Sequence, residues 1–525
     1  MKKTLFLLFI IINMNLNAQL ELAPDNPILN NVTVLTVSEK DEVLELPPLE
    51  INFTYQSPTS NGTRVVYFVH GLGGNANSWL RAAIASENPS YNVQGFHARN
   101  IHSSIIDYSS QVGSDMGGAV NYLKNHIRNT SLNNWSGYDP DRTKNFIIAH
   151  SQGGVVVRSL LKFDTHDYPN TDGQTRGYGG FVTVASPLQG ARILNNLDKN
   201  FDMAVEACTT LSRAKTPFVL KLVFHLIGRN FIDTLCSTLS YNVFPYFFKD
   251  NTAPITNDYH VGSQWITDLN NSCNNQTYIN MPKVAFYGIE PRTNIFWRTL
   301  NWFKNNPNNP GYWEANDDFS FYENDIKPVI MDYNSELTKY RTKKRNLEAN
   351  RRWYLLGAGG GLAYYYYQLN KYNALIDDWQ AGVTFFNSVN DKWETIIGSQ
   401  EKETGMVTYY QCVRYMPPNF FWQRFTTDPN NCPPYFTLSD PLKTIQAMGV
   451  TTIYKESDGV VLAESAYDLP HATHPPVPHR GIEKSDGTYT GSSHMQIRND
   501  DALKRNLHLL YEGEYGLFFK TDVLQ

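Results

Sequence analysis

The sequence has little net charge, few cysteines and almost no long apolar run, and each shortage excludes a class of function. A formal balance of −5 over 525 residues is too small to set up the field that a polyanion needs, so no nucleic-acid partner is expected. Five cysteines match no zinc-ligand spacing, so no metal site of that kind is expected. Their number suits an oxidising compartment with one thiol left over. Cys208 with Cys236 and Cys412 with Cys432 are the expected disulfides, leaving Cys273 free. Past the N-terminus no segment reaches the roughly 20 apolar residues that a membrane helix takes. The glycines at 357–361 are not a phosphate loop, because no strand leads into them and no Lys-Ser/Thr follows. No internal repeat is visible.

What is present belongs to a globular protein: 41% apolar and 18% charged residues, with a length that suggests a domain plus large additions. The 32 tyrosines, with abundant asparagine, suit a hydrated surface facing sugars, lipids or proteins. Lys2 and Lys3 precede a short apolar run at 5–12, and the stretch closes with Leu16, Asn17 and Ala18. This reads as a secretory signal peptide over 1–18, so the mature chain is expected to be secreted or extracytoplasmic, in periplasm, at the cell surface or outside. A loop-like extension follows at 19–62, with Pro24, Pro27, Pro47 and Pro48.

From 63 onward, apolar strand patterns alternate with helical ones. Strands are expected at 65–69, 93–98, 146–149, 181–185 and 284–289, and helices at 79–85, 114–127 (capped by Ser114) and 155–161. That alternation implies an α/β fold, a mostly parallel sheet with helices on both faces. Two long stretches break it. One, at 190–280, holds an apolar segment at 218–227 that suits a lid helix or core. The other, at 291–450, is helical and aromatic-rich, an insert or cap. The division expected is therefore a core of 63–290 and 451–525, a lid insert at 190–280 and the second insert at 291–450. Its helix at 331–356 carries Lys339, Arg341, Lys343, Lys344, Arg345, Arg351 and Arg352, which suits either an anionic surface or a solvated face. The aromatic segment 416–425 is a candidate lipid-contacting surface or cap core.

The strongest chemical signal is Ala149-His150-Ser151-Gln152-Gly153-Gly154 between an apolar strand and an apolar helix. A serine on such a tight elbow presents its hydroxyl at the carboxyl end of the sheet, and the elbow demands small residues at Ala149 and Gly153. Upstream lies Val69-His70-Gly71-Leu72-Gly73-Gly74, a Gly-rich turn after a strand. Its backbone N–H groups meet no side-chain obstruction. The backbone N–H groups of Leu72 and Gln152 are the expected oxyanion donors. His70, Gly71, Gly73, His150 and Gly153 are expected to support the two turns.

These segments, with Thr183-Val184-Ala185-Ser186-Pro187-Leu188-Gln189-Gly190, resemble the α/β-hydrolase superfamily. The likeness is to bacterial lipases and the lipase-like relatives of GPI-inositol deacylases, and it covers about half the chain. The resemblance implies a serine ester hydrolase of the lipase or esterase kind, with the triad in the order Ser, acid, His. Asp458, in Lys455-Glu456-Ser457-Asp458-Gly459, matches the acid loop, with Asp468, Glu456 and Glu464 as rivals. His494, in Gly491-Ser492-Ser493-His494-Met495, matches the base, in a loop before a last helix starting near Asp500. His471, His474 and His479 lie in a Pro-rich loop, whose expected place is the surface, and His508 lies in a helical pattern.

The resemblance implies no cofactor. Some lipases of this kind carry structural calcium, but no oxygen ligands for one can be placed in this sequence. An ester or lipid is the expected substrate, with membrane or lipid-interface contact as a further partner. The same triad serves a carboxylesterase, thioesterase or acyltransferase, and the fold also occurs as a non-catalytic surface binding protein.

Overall fold

A computed structural model describes residues 63–72, 74–87, 101–111, 114–132, 141–167, 176–196, 199, 203, 254–274, 276–293, 295–304, 322, 327–356, 360–416, 420–430, 432–433, 435–498 and 500–521. The expected signal and extension at 1–62, Gly73, the strand expected at 93–98, the lid or core segment expected at 218–227 and the expected Cys208–Cys236 pair lie outside the described residues.

Six strands form one sheet: β1 (Arg64–Val69), β2 (Ile101–Ile106), β3 (Phe146–His150), β4 (Gly180–Val184), β5 (Lys283–Gly288) and β10 (Val477–His479). Their order is β10-β5-β4-β3-β1-β2, and every neighbouring pair is parallel. The central strands are buried on both faces, which is why they read as unbroken apolar runs. Alternate residues feed two cores. Val65, Tyr67, Val69, Ile147 and Ala149 pack on one side with the helices Met116–Leu132 and Gln152–Asp167. Val66, Phe68, Phe146 and Ile148 pack on the other with Leu80–Glu87 and Asp501–Glu512. This is the α/β-hydrolase arrangement, a parallel sheet with helices on both faces.

The chain order reverses between β1 and β3, which pair directly with Val69 opposite Ala149. In an open α/β sheet the crevice forms at such a reversal, outside the carboxyl ends of the strands. The Gly-rich turn after β1 and the elbow after β3 both lie there.

Several local expectations need correction. β2 was not foreseen, because Ser103 and Ser104 interrupt its apolar run. Asp115, not Ser114, caps the following helix: its carboxylate accepts the N–H of Gly118, whereas the Ser114 hydroxyl donates back to Gln111. The basic helix begins earlier than expected, at Lys327, and is interrupted at Asn350 into Lys327–Ala349 and Arg351–Leu356. His479 is no surface residue: it ends β10, is buried, and packs against Phe286.

The second insert leaves the sheet after β5 and returns just before Asp458. Its helix Gly361–Ile397 runs 37 residues and packs antiparallel to Lys327–Ala349, with Tyr333 against Trp379 and Phe386, and Tyr340 against Tyr372. A Cβ at Gly382 would fall 2.1 Å from the Tyr333 ring, so only glycine admits that packing. The apolar stripe of these helices continues into the first core through Phe296, Trp297 and Trp393.

An antiparallel sheet follows, unforeseen from the sequence: β6 (Gln400–Met416), β7 (Phe420–Thr426), β8 (Thr437–Leu438) and β9 (Thr444–Tyr454). Residues 417–419 and the side chains of 415–422 lie outside the description, and β9 runs through the boundary expected at 450. Cys412 and Cys432 form a disulfide here, and Cys273 is a buried free thiol. Among the described residues, no helix is long and apolar enough to cross a membrane.

Candidate active site

Ser151 follows β3 at the elbow with φ of 54°, a left-handed conformation that costs a non-glycine residue about 1–2 kcal/mol. The elbow is held by the Ser151 N–H donating to Val184 O (3.0 Å) and the Gly154 N–H donating to Ser151 O (3.0 Å). The steric demand is visible at Gly153, where a Cβ would lie 2.4 Å from the carbonyl oxygen of His70. The turn after β1 is as close. A Cβ on Gly71 would lie 2.6 Å from Ser151 Cβ, so this turn, which carries Leu72, runs directly against the serine.

His494 Nε2 lies 2.8 Å from Ser151 Oγ, and its Nδ1 lies 2.7 Å from Asp458 Oδ2. Asp458 is buried, yet its charge is well served. Oδ1 accepts the N–H groups of Val460 (3.0 Å) and Val461 (2.7 Å), leaving Oδ2 for the imidazole. A carboxylate so bonded fixes the Nδ1–H tautomer and turns Nε2 toward the hydroxyl. Backbone hydrogen bonds bring the two loops together: His494 N–H donates to Asp458 O (2.8 Å) and Glu290 N–H to Ser457 O (2.7 Å). Gly288, ending β5, is the point of closest approach, where a Cβ would meet both Asp458 Cβ and Ser492 O at 2.8 Å.

The other carboxylates near Asp458 stand apart. Glu464 pairs with Lys455 (2.9 Å), Glu456 is exposed, and Asp468 is exposed with its backbone oxygen accepting from Gln189.

Both supporting histidines are buried. His70 stacks on Tyr108 at 4.3 Å; its Nδ1 lies 2.8 Å from Gly71 O, and its Nε2 faces both the Tyr108 N–H (3.1 Å) and Asp107 Oδ1 (3.3 Å). The Tyr108 hydroxyl lies within reach of His70 O (2.9 Å) and Gln152 Oε1 (3.1 Å), joining the two turns. His150 donates from Nε2 to the carbonyl oxygen of His494 at 2.7 Å. Burial, then the neighbouring charge of His494, pushes His150 well below the ordinary imidazole value, so it stays neutral.

Three further residues frame the site, and of these only Asp500 had a local sequence signal, as the expected start of the last helix. Tyr108 follows the unforeseen β2. Trp393, in the long insert helix, donates its indole N–H to Gly459 O (2.8 Å), beside Asp458. Asp500 caps the last helix through the Leu503 N–H (2.6 Å) and accepts the Ser492 hydroxyl (2.8 Å), tying that helix to the His494 loop. Burial pushes the Asp500 carboxyl up to about 6. His471, His474 and His479 do not converge, and no group of three or more potential metal ligands occurs among the described residues.

A model of the palmitoyl protein thioesterase family matches residues 65–347 of this chain. A search of curated proteins finds no match. Among solved structures, phospholipase PlaB from Legionella pneumophila is similar at 13% identity and a TM-score of 0.27, over 49% of this chain and 42% of that one. An extracellular α/β-hydrolase from a Paenibacillus species is similar at 10% identity and 0.22, over 43% and 77%. The epoxide hydrolase of Bacillus megaterium is similar at 12% identity and 0.18, over 43% and 76%. The chain thus spans less than half the length of PlaB, and no property passes to it from likenesses this low.

Proposed function

Because the chain belongs to the palmitoyl protein thioesterase family, α/β-hydrolases that act on acyl esters and need no cofactor, we propose that it is an exported serine hydrolase. Its substrates are lipid acyl esters, thioesters included. The observation that carries this reading is the hydrogen-bonded line Ser151 Oγ, His494, Asp458, with 2.8 and 2.7 Å between successive partners.

His494 Nε2 takes the hydroxyl proton as Ser151 Oγ attacks the acyl carbon, and Asp458 stabilises the imidazolium. The N–H groups of Leu72 and Gln152 receive the oxyanion; removing one such donor elsewhere has cost roughly 3–4 kcal/mol of barrier. Collapse of the tetrahedral intermediate expels the alcohol or thiol, which leaves with the His494 proton. Water, deprotonated by the same nitrogen, then releases the acid from Ser151. Export rests on the basic and apolar leader at residues 2–18. The family's description makes a long-chain acyl thioester the first substrate to try.

Fluorophosphonate labelling with the modified residue located by mass spectrometry tests the chemistry. Label on Ser151, absent from Ser151→Ala, supports it. A folded protein that takes no label with or without detergent is instead a binding protein on this fold.

A further inference from the structure

The far end of the insert's helical hairpin has no task in the chemistry above. There Arg351–Leu356 meets the start of Gly361–Ile397, with Tyr354 packed on Tyr364 and Tyr365. Around this small contact the apolar side chains face solvent. Trp353 is 73% exposed, Leu356 78% and Tyr367 64%, and Leu355, Leu362 and Tyr366 are exposed as well. Toward the base the same helices bury Tyr333, Trp379, Phe386 and Trp393. The apolar stripe therefore continues past the point where the protein covers it. Such a patch on a soluble chain marks a contact surface.

Charge identifies the partner. Between Leu337 and Ala374 there are eight lysines and arginines and one carboxylate, Glu348, a local balance of +7 in a chain whose total is −5. Lys343, Arg345, Arg351 and Arg352 are exposed beside the apolar end. A solvated helix face accounts for cations alone. It does not account for an exposed tryptophan, leucines and tyrosines at the end of the hairpin. Aromatic rings at headgroup depth, apolar side chains below them and a basic collar are what an anionic bilayer surface takes up.

We propose that the end of this hairpin docks on anionic membranes, with Trp353, Leu355, Leu356 and Leu362 entering the headgroup boundary and the basic residues meeting lipid phosphates and carboxylates. At 1.5 Å per residue, the helix Gly361–Ile397 sets its docking end roughly 55 Å from its base. The base end holds Gly459 through Trp393. The docking surface stands on exposure and charge and does not depend on the reading of Ser151.

The test is co-sedimentation of the full chain with phosphatidylcholine vesicles, plain or with about 30% phosphatidylserine, at low and high ionic strength. Binding is expected to the anionic vesicles and to weaken with salt. The triple change Lys343→Glu, Arg345→Glu, Arg352→Glu should weaken it about a hundredfold. The pair Trp353→Ser, Leu356→Ser should weaken it at least about tenfold. All five positions are exposed, and an unchanged thermal melt shows that the variants fold. Equal binding to neutral vesicles, binding that survives either set of changes, or retention on nucleic acid without affinity for anionic vesicles would overturn the proposal.

Discussion

The Nε2–H of His150 donates to the carbonyl oxygen of His494 at 2.7 Å, so the residue before the proposed nucleophile holds the backbone of the proposed base. His150→Phe leaves that buried carbonyl unpaired, a cost of about 1–3 kcal/mol. If the contact positions His494, kcat should fall roughly 5- to 100-fold with little change in KM. His150→Gln, which keeps a donor, should recover part of it. A fall in stability alone, with kcat intact, would make His150 a packing residue.

Asp458→Asn keeps the shape of its loop but removes the charge that selects the Nδ1–H tautomer of His494. Hydrolysis should drop by about 10⁴-fold, and fluorophosphonate labelling of Ser151 should slow with it. An active Asp458→Asn protein would move the acid to Glu456, Glu464 or Asp468.

Trp393→Phe removes the indole donor to Gly459 while leaving a ring against Phe296, now 5.7 Å away. Stability should fall by about 1–3 kcal/mol in urea melts. Turnover of a small soluble ester should fall too, because Gly459 neighbours the acid. Unchanged turnover at reduced stability would separate the insert from the chemistry.

Acid should destabilise the fold through two buried imidazoles. Burial pushes His479 down to about 3 and lowers His150 well below its ordinary value of 6.5. Both therefore take up a proton below pH 6.5 in the unfolded chain but not in the fold, and stability is lost as pH falls. Asp500 has the opposite sign. Raised from 3.8 to about 6, it binds its proton in the fold before the unfolded chain does, so it gains stability as pH falls through that window. Two protons against one leave these groups a net loss of roughly 1.4 kcal/mol per pH unit between about pH 6 and 4. In melts across that range His479→Gln should flatten the slope by about one proton, and Asp500→Asn should steepen it. A His479→Gln slope equal to wild type would show that this ring is protonated in the fold.

The elbow and the Gly-rich turn were legible because each sits in a continuous local frame, an apolar strand running into a turn whose side chains must be small. Asp458 was less so. Four carboxylates stand from Glu456 to Asp468, all of them in the right chain order, and only the likeness of the Asp458 segment to the family's acid loop separated them. The antiparallel sheet was illegible because its strands are half exposed and carry no clean alternation; β9 is exposed or half-buried along its whole length. Tyr108 and Trp393 left no signal because what gives them meaning is a partner far along the chain, at Gln152 and Gly459.

The insert departs after β5 and comes back at Ser457, where the Glu290 N–H closes the circuit. About 170 residues therefore lie between two points of the chain that touch, and because the entropy of closing a loop grows only as the logarithm of its length, so long an insert costs little more than a short one. The insert can therefore differ in length without moving the acid loop, so long as the short closure from Glu290 to Ser457 is kept.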